Sequence, residues 1–298
     1  MRLFASASAS GSFGLGGASL GGSRHGSDFQ NLHRNKRSLA LNLKEEAGKE
    51  VFYRLVAEAD VVVENYRPDV KTRLDIDYDS LSEINPRIIL ASISGFGQDG
   101  PYAKRPGFDQ VAQGMGGLMS ITGLPGQGPV RVGIPIADLT AGLFAAQGVM
   151  LALLEREKSG KGQWLHTSLL EAQTFMLDFQ SARWLVDGEV PQQAGNNDPT
   201  SIPTGVFATA DGHMNIAVAG QEIWGRFCRA LGHEDWMSDP DFVDAPARSE
   251  NRDRLNGLIG EAIAAKTTAE WVEEFNELSV PCGPIYNIGE LFADEQVE

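Results

Sequence analysis

Apolar and polar positions follow two regimes along this chain. Up to about residue 27 no period is visible, whereas from Lys44 onward the spacing becomes that of helices and strands. In "KEEAGKEVFYRLVAEA", Ala47, Val51, Phe52, Leu55 and Val56 share one helical face. "DVVVENY" is a short run of β-branched residues and predicts a buried strand. "DSLSEINP" predicts a short helix, with Ser80 and Glu83 at capping-box spacing and Pro86 as its stop. "RIILASISGF" predicts a second buried strand. Strand, helix and strand in that order require a right-handed crossover, hence a parallel sheet.

Glycine-rich loops follow, "GFGQDGPYAKRPGF" and "GMGGLMSITGLPGQGP". A helix is predicted from about Leu139 to Lys158, ended by "SGKG". "QWLHTSLL" predicts a strand and "EAQTFMLDFQSARWLVDG" one further helix. The Gly/Pro/Asn segment "EVPQQAGNNDPTSIPTG" marks a domain boundary. Beyond it, "VFATADGHMNIAV" predicts two strands around Asp211–Gly212, and mostly helices come after. The expected division is a low-complexity tail at 1–27, a large α/β core at 28–188 and a smaller α+β domain at 189–298.

Composition narrows the choice of partner. Forty acids against 25 bases leave a net charge of −15, which argues against nucleic acid or an anionic membrane as the main partner. The longest apolar run is broken by Gly, Gln and Thr, so no membrane span is expected. Two cysteines, Cys228 and Cys282, lack metal-ligand spacing and are expected to be free thiols. The tail is rich in Ser, Gly and Ala and carries no acid, a composition that buries little surface. Organelle transit peptides share that character.

Several chemistries have no motif here. "GMGG" at 114–117 does not match the dinucleotide glycine fingerprint, and no phosphate loop is present. G-x-S-x-G is absent, and the five histidines are scattered without ligand spacing. What stands out is Asp138, followed by sixteen residues without a charge up to Glu155. An Asp heading a helix accepts backbone N–H bonds and meets the positive end of the dipole. The same place favours an ionised carboxylate, and neighbouring glycines let a large substrate approach, which suits a nucleophile. Spacing does not choose between them.

A series of segments does. "NLHRNKRSLALNLK", "ADVVVENYRPDV", "INPRIILASISGFGQDGPY", "RPGFDQVAQGMGGLMSITG", "PVRVGIPIADLTAGLFAAQGVMLALLEREKSGKGQ", "TSLLEA" and "VPCGPIYNIGELFADEQV" span positions 31 to 298. In this order they resemble the class III CoA-transferase family, the CaiB–BaiF group that includes formyl-CoA transferase. The resemblance implies an α/β fold with a Rossmann-like parallel-sheet half, a smaller α+β domain and interlocked homodimers. It implies transfer of CoA from an acyl-CoA to a carboxylic acid, with Asp138 as the nucleophile, its cap geometry holding it ionised and aimed. Coenzyme A enters as acyl-CoA substrate, no metal is implied, and the expected compartment is the cytoplasm. The family's CoA contacts carry over to Leu41 and Lys44 in "LNLK", to Asn65 and Arg73 with Arg67 nearby in "ENYRPDVKTR", and to Arg105 before the active-site loop.

The departures from the family matter too. The racemase branch has Gly-His-Asp where this chain has Gly107-Phe108-Asp109, and phenylalanine cannot transfer a proton. In place of the long glycine loop of formyl-CoA transferases stands "GNNDPTSIPTG", closer to members that use dicarboxylate acceptors. The family's first strand, helix and CoA-binding arginine have no counterpart, nor does its C-terminal return segment. The chain is therefore expected to be a family core short at both ends, with exposed strand edges and reduced stability. A noncatalytic acyl-CoA-binding remnant remains the alternative from another class.

Overall fold

The computed structural model describes residues 3–6, 31 and 33–297. The chain divides into two compact units, one of residues 1–120 and 130–191, the other of 121–129 and 192–298.

The first unit is built on a four-stranded parallel sheet, β1 (Leu3–Ser6), β2 (Val61–Glu64), β3 (Ile89–Ser94) and β4 (Trp164–Ser168), in that spatial order. Helices α1 (Glu46–Val56), α2 (Pro68–Arg73) and α3 (Tyr78–Ile84) lie between β2 and its sequence neighbours. Then come α4 (Asp109–Met115), α5 (Leu118–Ile121), α6 (Ile136–Ser159), α7 (Leu169–Phe175) and α8 (Phe179–Asp187). The two-residue period of the strands sorts the core. Val62 and Leu90 join Phe52, Val56 and Leu81 on the side of α1 and α3. Val61, Ile89 and Ala91 join Val149 and Ala152 of α6 on the other side. Both faces are covered, which is why β2 and β3 read as largely apolar runs.

The structure corrects the sequence reading in several places. Within the supposed tail, Leu3–Ser6 is a strand paired in parallel with β2, so β2 does not lack a neighbour. The rest of 1–27 lies outside the described residues, apart from that strand. Helix α3 starts earlier than the capping-box spacing suggested, because Asp77 is the cap and accepts the Ser80 N–H at 3.1 Å. The helix expected over 171–188 is two, broken where Asp178 takes a φ of +46°.

Helix α6 is 24 residues long and contains an 18-residue stretch of mean hydropathy 1.6, enough to cross a membrane by length and composition alone. One of its faces, however, packs on the sheet and α7 through Ala137, Ala141, Ala145, Val149 and Ala152. At its far end buried Arg156 donates to Asp60 Oδ1 at 2.7 Å and to the Arg87 carbonyl at 2.9 Å, tying the helix to the strand starts.

The second unit holds an antiparallel sheet, β5 (Thr204–Ala208), β6 (His213–Ala217) and β7 (Cys282–Pro284). The Ala208↔His213 pairing places the turn at 209–212, as the sequence indicates, whereas three-residue β7 was too short to show a period. Helices α9 (Gln221–Leu231), α10 (Ala245–Glu250), α11 (Arg252–Ile263) and α12 (Thr268–Glu277) surround an aromatic core of Trp224, Phe227, Phe242, Trp271 and Phe275, and α13 (Ile288–Leu291) ends the series.

Candidate functional site

At the carboxyl ends of β2 and β3 the first unit opens a small, solvent-facing cleft. Open α/β sheets bind ligands in this position, where chain leaving the strands diverges. The wall comprises Asn65, Tyr66, Arg67 and Pro68 after β2, Ser94 and Gly95 at the end of β3, and Ala103, Arg105 and Gly107 from the following loop. Three sequence-predicted residues, Asn65, Arg67 and Arg105, therefore meet in one place. Arg105 lies over the Tyr102 ring at 3.7 Å, which orients its guanidinium without neutralising it. Two exposed cations and an amide on a strongly acidic protein suit a phosphorylated, anionic ligand.

The other predicted contacts lie elsewhere. Arg73, at the end of α2, is exposed and pairs with Asp69 at 3.8 Å, and Arg67 approaches the same carboxylate at 4.0 Å. Leu41 is half-buried against the Phe52–Val56 cluster, and Lys44 is exposed just before α1. None of the three lines the cleft.

Two glycines hold the cleft wall together. A Cβ on Gly107 would stand 2.7 Å from the Gly95 Cα, closer than any packed Cβ, so these backbones meet only because both side chains are missing. Gly107→Ala is expected to destabilise the protein by about 1–3 kcal/mol through overpacking. A urea midpoint equal to that of the parent would contradict this.

Two residues beyond Gly107 the chain enters α4 at Asp109, and here the reading of Asp138 needs correction. Asp138 does not cap α6. The cap position is Pro135, which offers no side-chain bond, and Asp138 lies inside the first turn. The capping bond comes from a distance: buried Asp109 accepts the Ala137 N–H on Oδ1 at 2.9 Å. Asp109 Oδ2 accepts from Gln113 Nε2 at 2.7 Å and faces Arg131 at 3.8 Å. Gln113 in turn accepts the Val132 N–H at 2.9 Å and fixes the approach to the helix. Asp138 itself has no hydrogen bond or ion pair among the described residues. Its surface is open to solvent, while the protein behind it desolvates the carboxylate. That desolvation, with the Asp109 charge, raises its pKa above the ordinary carboxylate value. Holding it ionised through a cap was thus the wrong sign: the site makes the anion less comfortable and leaves it unbonded, which favours nucleophilicity.

Sequence reasoning missed Asp109 and Gln113 as partners of this turn, because nothing in the spacing links residue 109 to residue 137. It also missed a buried ion pair beneath the cleft. Glu64, the last residue of β2, is 1% exposed, and Lys71 of α2 is 4% exposed, with 3.6 Å between their charged atoms. Glu64 Oε2 accepts the Tyr66 N–H at 2.7 Å, which sets the course of the Asn65–Arg67 segment. Lys71 Nζ donates to Gln98 and lies 5.4 Å from the Trp164 ring centre. An acid ending an otherwise apolar strand run was the available signal. Among the described residues no cluster of His, Cys, Asp and Glu could hold a metal ion.

Comparison with known proteins agrees on one family. The model for CoA-transferase family III matches residues 17–298. The acyl-CoA transferase of Fusarium pseudograminearum is 37% identical over 90% of this chain and 59% of its own length. The acetyl-CoA:oxalate CoA-transferase of Acetobacter aceti is 36% identical over 88% of this chain and 68% of its own. The crystal structure of a CaiB/BaiF family protein from Brucella suis superimposes with a TM-score of 0.78 and 36% identity, covering 88% of this chain and 69% of that one. The chain thus spans between about three-fifths and two-thirds of the length of these relatives. With a match across nearly all of its residues, in sequence and in fold, the chain belongs to CoA-transferase family III.

Proposed function

We propose that this protein moves CoA from an acyl-CoA thioester to a carboxylic acid, with Asp138 as the nucleophile. The observation that carries the reading is a carboxylate in the first turn of α6 that has no bond among the described residues, beside a capping acid whose backbone leads directly to the cationic cleft. Arg67 and Arg105 would hold the phosphates of CoA, and Asn65 its polar groups. A carboxylate oxygen of Asp138 attacks the thioester carbon, the C–S bond breaks, and CoA thiolate leaves a mixed anhydride. The thiolate attacks the Asp138 acyl carbon, freeing the donor acid and leaving an aspartyl thioester. The acceptor carboxylate attacks that thioester, and the thiolate released then attacks the acceptor acyl carbon of the new anhydride. Asp138 is regenerated, and no net proton is consumed.

The acceptor we favour is a short dicarboxylate, the class to which the oxalate in the Acetobacter relative's name belongs. Racemisation through residue 108 is disfavoured, because Phe108 presents a hydrocarbon ring that is 73% exposed. Incubating the protein with succinyl-CoA or acetyl-CoA and a panel of dicarboxylates tests the assignment. Chromatography should show a new CoA ester in stoichiometric exchange for the donor. Hydrolysis alone, or binding without exchange, would overturn it.

A homodimer fits the surface of the first unit. Leu143, Leu151 and Leu154 of α6, Phe175 at the end of α7, and Leu185 and Val186 of α8 are each 66% or more exposed. Soluble proteins seldom leave that much apolar surface uncovered. Sedimentation equilibrium should give twice the chain mass, and a single-chain mass would contradict the assignment.

A further inference from the structure

We propose that Asp109 is a positioning residue for Asp138: its buried carboxylate takes over the capping bond at Ala137, so that the Asp138 side chain is left without a bond among the described residues, beside a second negative charge. This deepens the reading of Asp138 as nucleophile and rests on it. Asp109 is 8% exposed and uses both oxygens, one on the helix backbone and one on Gln113, so its geometry is fixed. Without it, the free N–H at the head of α6 would draw the nearest carboxylate, and Asp138 would become an ordinary cap. Arg131 is the counterweight, at 3.8 Å from Asp109 and half exposed, so it offsets part of the charge without burying the pair.

The assignment also explains how a ligand in the cleft would communicate with the helix. Gly107, packed on Gly95 in the cleft wall, and Asp109, bonded to α6, belong to one three-residue segment. The head of α6 packs with α4, α7 and β3, whose titratable residues are Asp109 on α4 and Glu171 on α7, with Arg131 on the preceding loop and none on β3. Of these, Asp109 is the charge that acts on Asp138.

Two substitutions with opposite electrostatic sense test the proposal. Asp109→Asn keeps an oxygen for Ala137 and removes the charge, and Arg131→Gln removes the counterweight at the surface. The readout is the rate of carbodiimide labelling at Asp138 against pH, quantified by peptide mass spectrometry, which follows the protonated carboxyl without requiring turnover. The labelling midpoint should move to lower pH in Asp109→Asn and to higher pH in Arg131→Gln, and the acid limb of the transfer rate should move with it. A purely structural role would shift both variants the same way or neither, and either result overturns the proposal. If labelling shifts as stated but the transfer rate does not depend on Asp138, the electrostatic coupling stands and the nucleophile assignment fails. The two ideas therefore fail separately.

Discussion

Asp138→Asn is expected to lower CoA transfer by at least about a thousand-fold, because it removes the oxygen that the proposed mechanism bonds to the acyl group. Binding of acyl-CoA should survive, since the cleft lined by Asn65, Arg67 and Arg105 is untouched. Stability should survive as well. The folded protein raises the pKa of Asp138, through desolvation first and the Asp109 charge second. A carboxyl with a raised folded pKa contributes stability below its unfolded value and loses that contribution as pH rises through the folded one. At neutral pH the ionised side chain is therefore a small liability, and Asn in its place should leave the unfolding midpoint unchanged or raise it. Loss of activity with a retained midpoint separates chemistry from folding. In the proposed mechanism the anion is the attacking form, so the rate should fall as pH drops, from a higher pH than an unperturbed aspartate would give. Residual activity within about tenfold of the parent would contradict the nucleophile assignment.

Lys71→Met should destabilise the protein by about 3–5 kcal/mol, because it strands a buried carboxylate. Glu64 is 1% exposed, and its Oε1 has no hydrogen bond among the described residues, so the nearby ammonium is its main compensation there. The methionine chain fills much of the lysine volume, which keeps a cavity from accounting for the loss. The double change Glu64→Gln with Lys71→Met removes both charges and should recover most of the stability. Denaturant titration of the parent, both singles and the double closes the cycle. The singles should also weaken acyl-CoA binding, since Glu64 holds the Tyr66 N–H and thereby the Asn65–Arg67 wall. A loss below about 1 kcal/mol in Lys71→Met would show that the pair is solvated, contrary to its burial.

What the sequence disclosed follows from the range of each interaction. The strands at 61–64 and 89–94 were visible because both faces of the parallel sheet are covered, so apolar residues fill most positions on both sides. The break at Asp178 was not visible, because the apolar positions carry on through both helices and nothing in their period marks a left-handed residue. Strand β1 was hidden by a Ser/Ala/Gly composition whose pairing depends on β2, far along the chain. At the site, the basic residues Arg67 and Arg105 were legible through the family likeness, and the fold brings them together. Arg73 was legible in the same way, yet the short helix α2 carries it away to an ion pair with Asp69. The capping acid was the reverse case. Asp138 drew attention as a lone charge before an apolar stretch, whereas the residue that bonds the helix head is Asp109, supplied by a different element. Cross-element bonds of this kind have no period and leave no trace in spacing.

One measurement bears most directly on the covalent role of the α6 carboxylate. The protein is mixed with acyl-CoA, the accumulated intermediate is intercepted with hydroxylamine, and the digest is read by tandem mass spectrometry. The account predicts a hydroxamate on the side chain of Asp138, formed only when acyl-CoA is present and absent from the Asn variant. A protein that exchanges CoA between acids at full rate while this carboxyl stays unlabelled, or with the label on another residue, would contradict it.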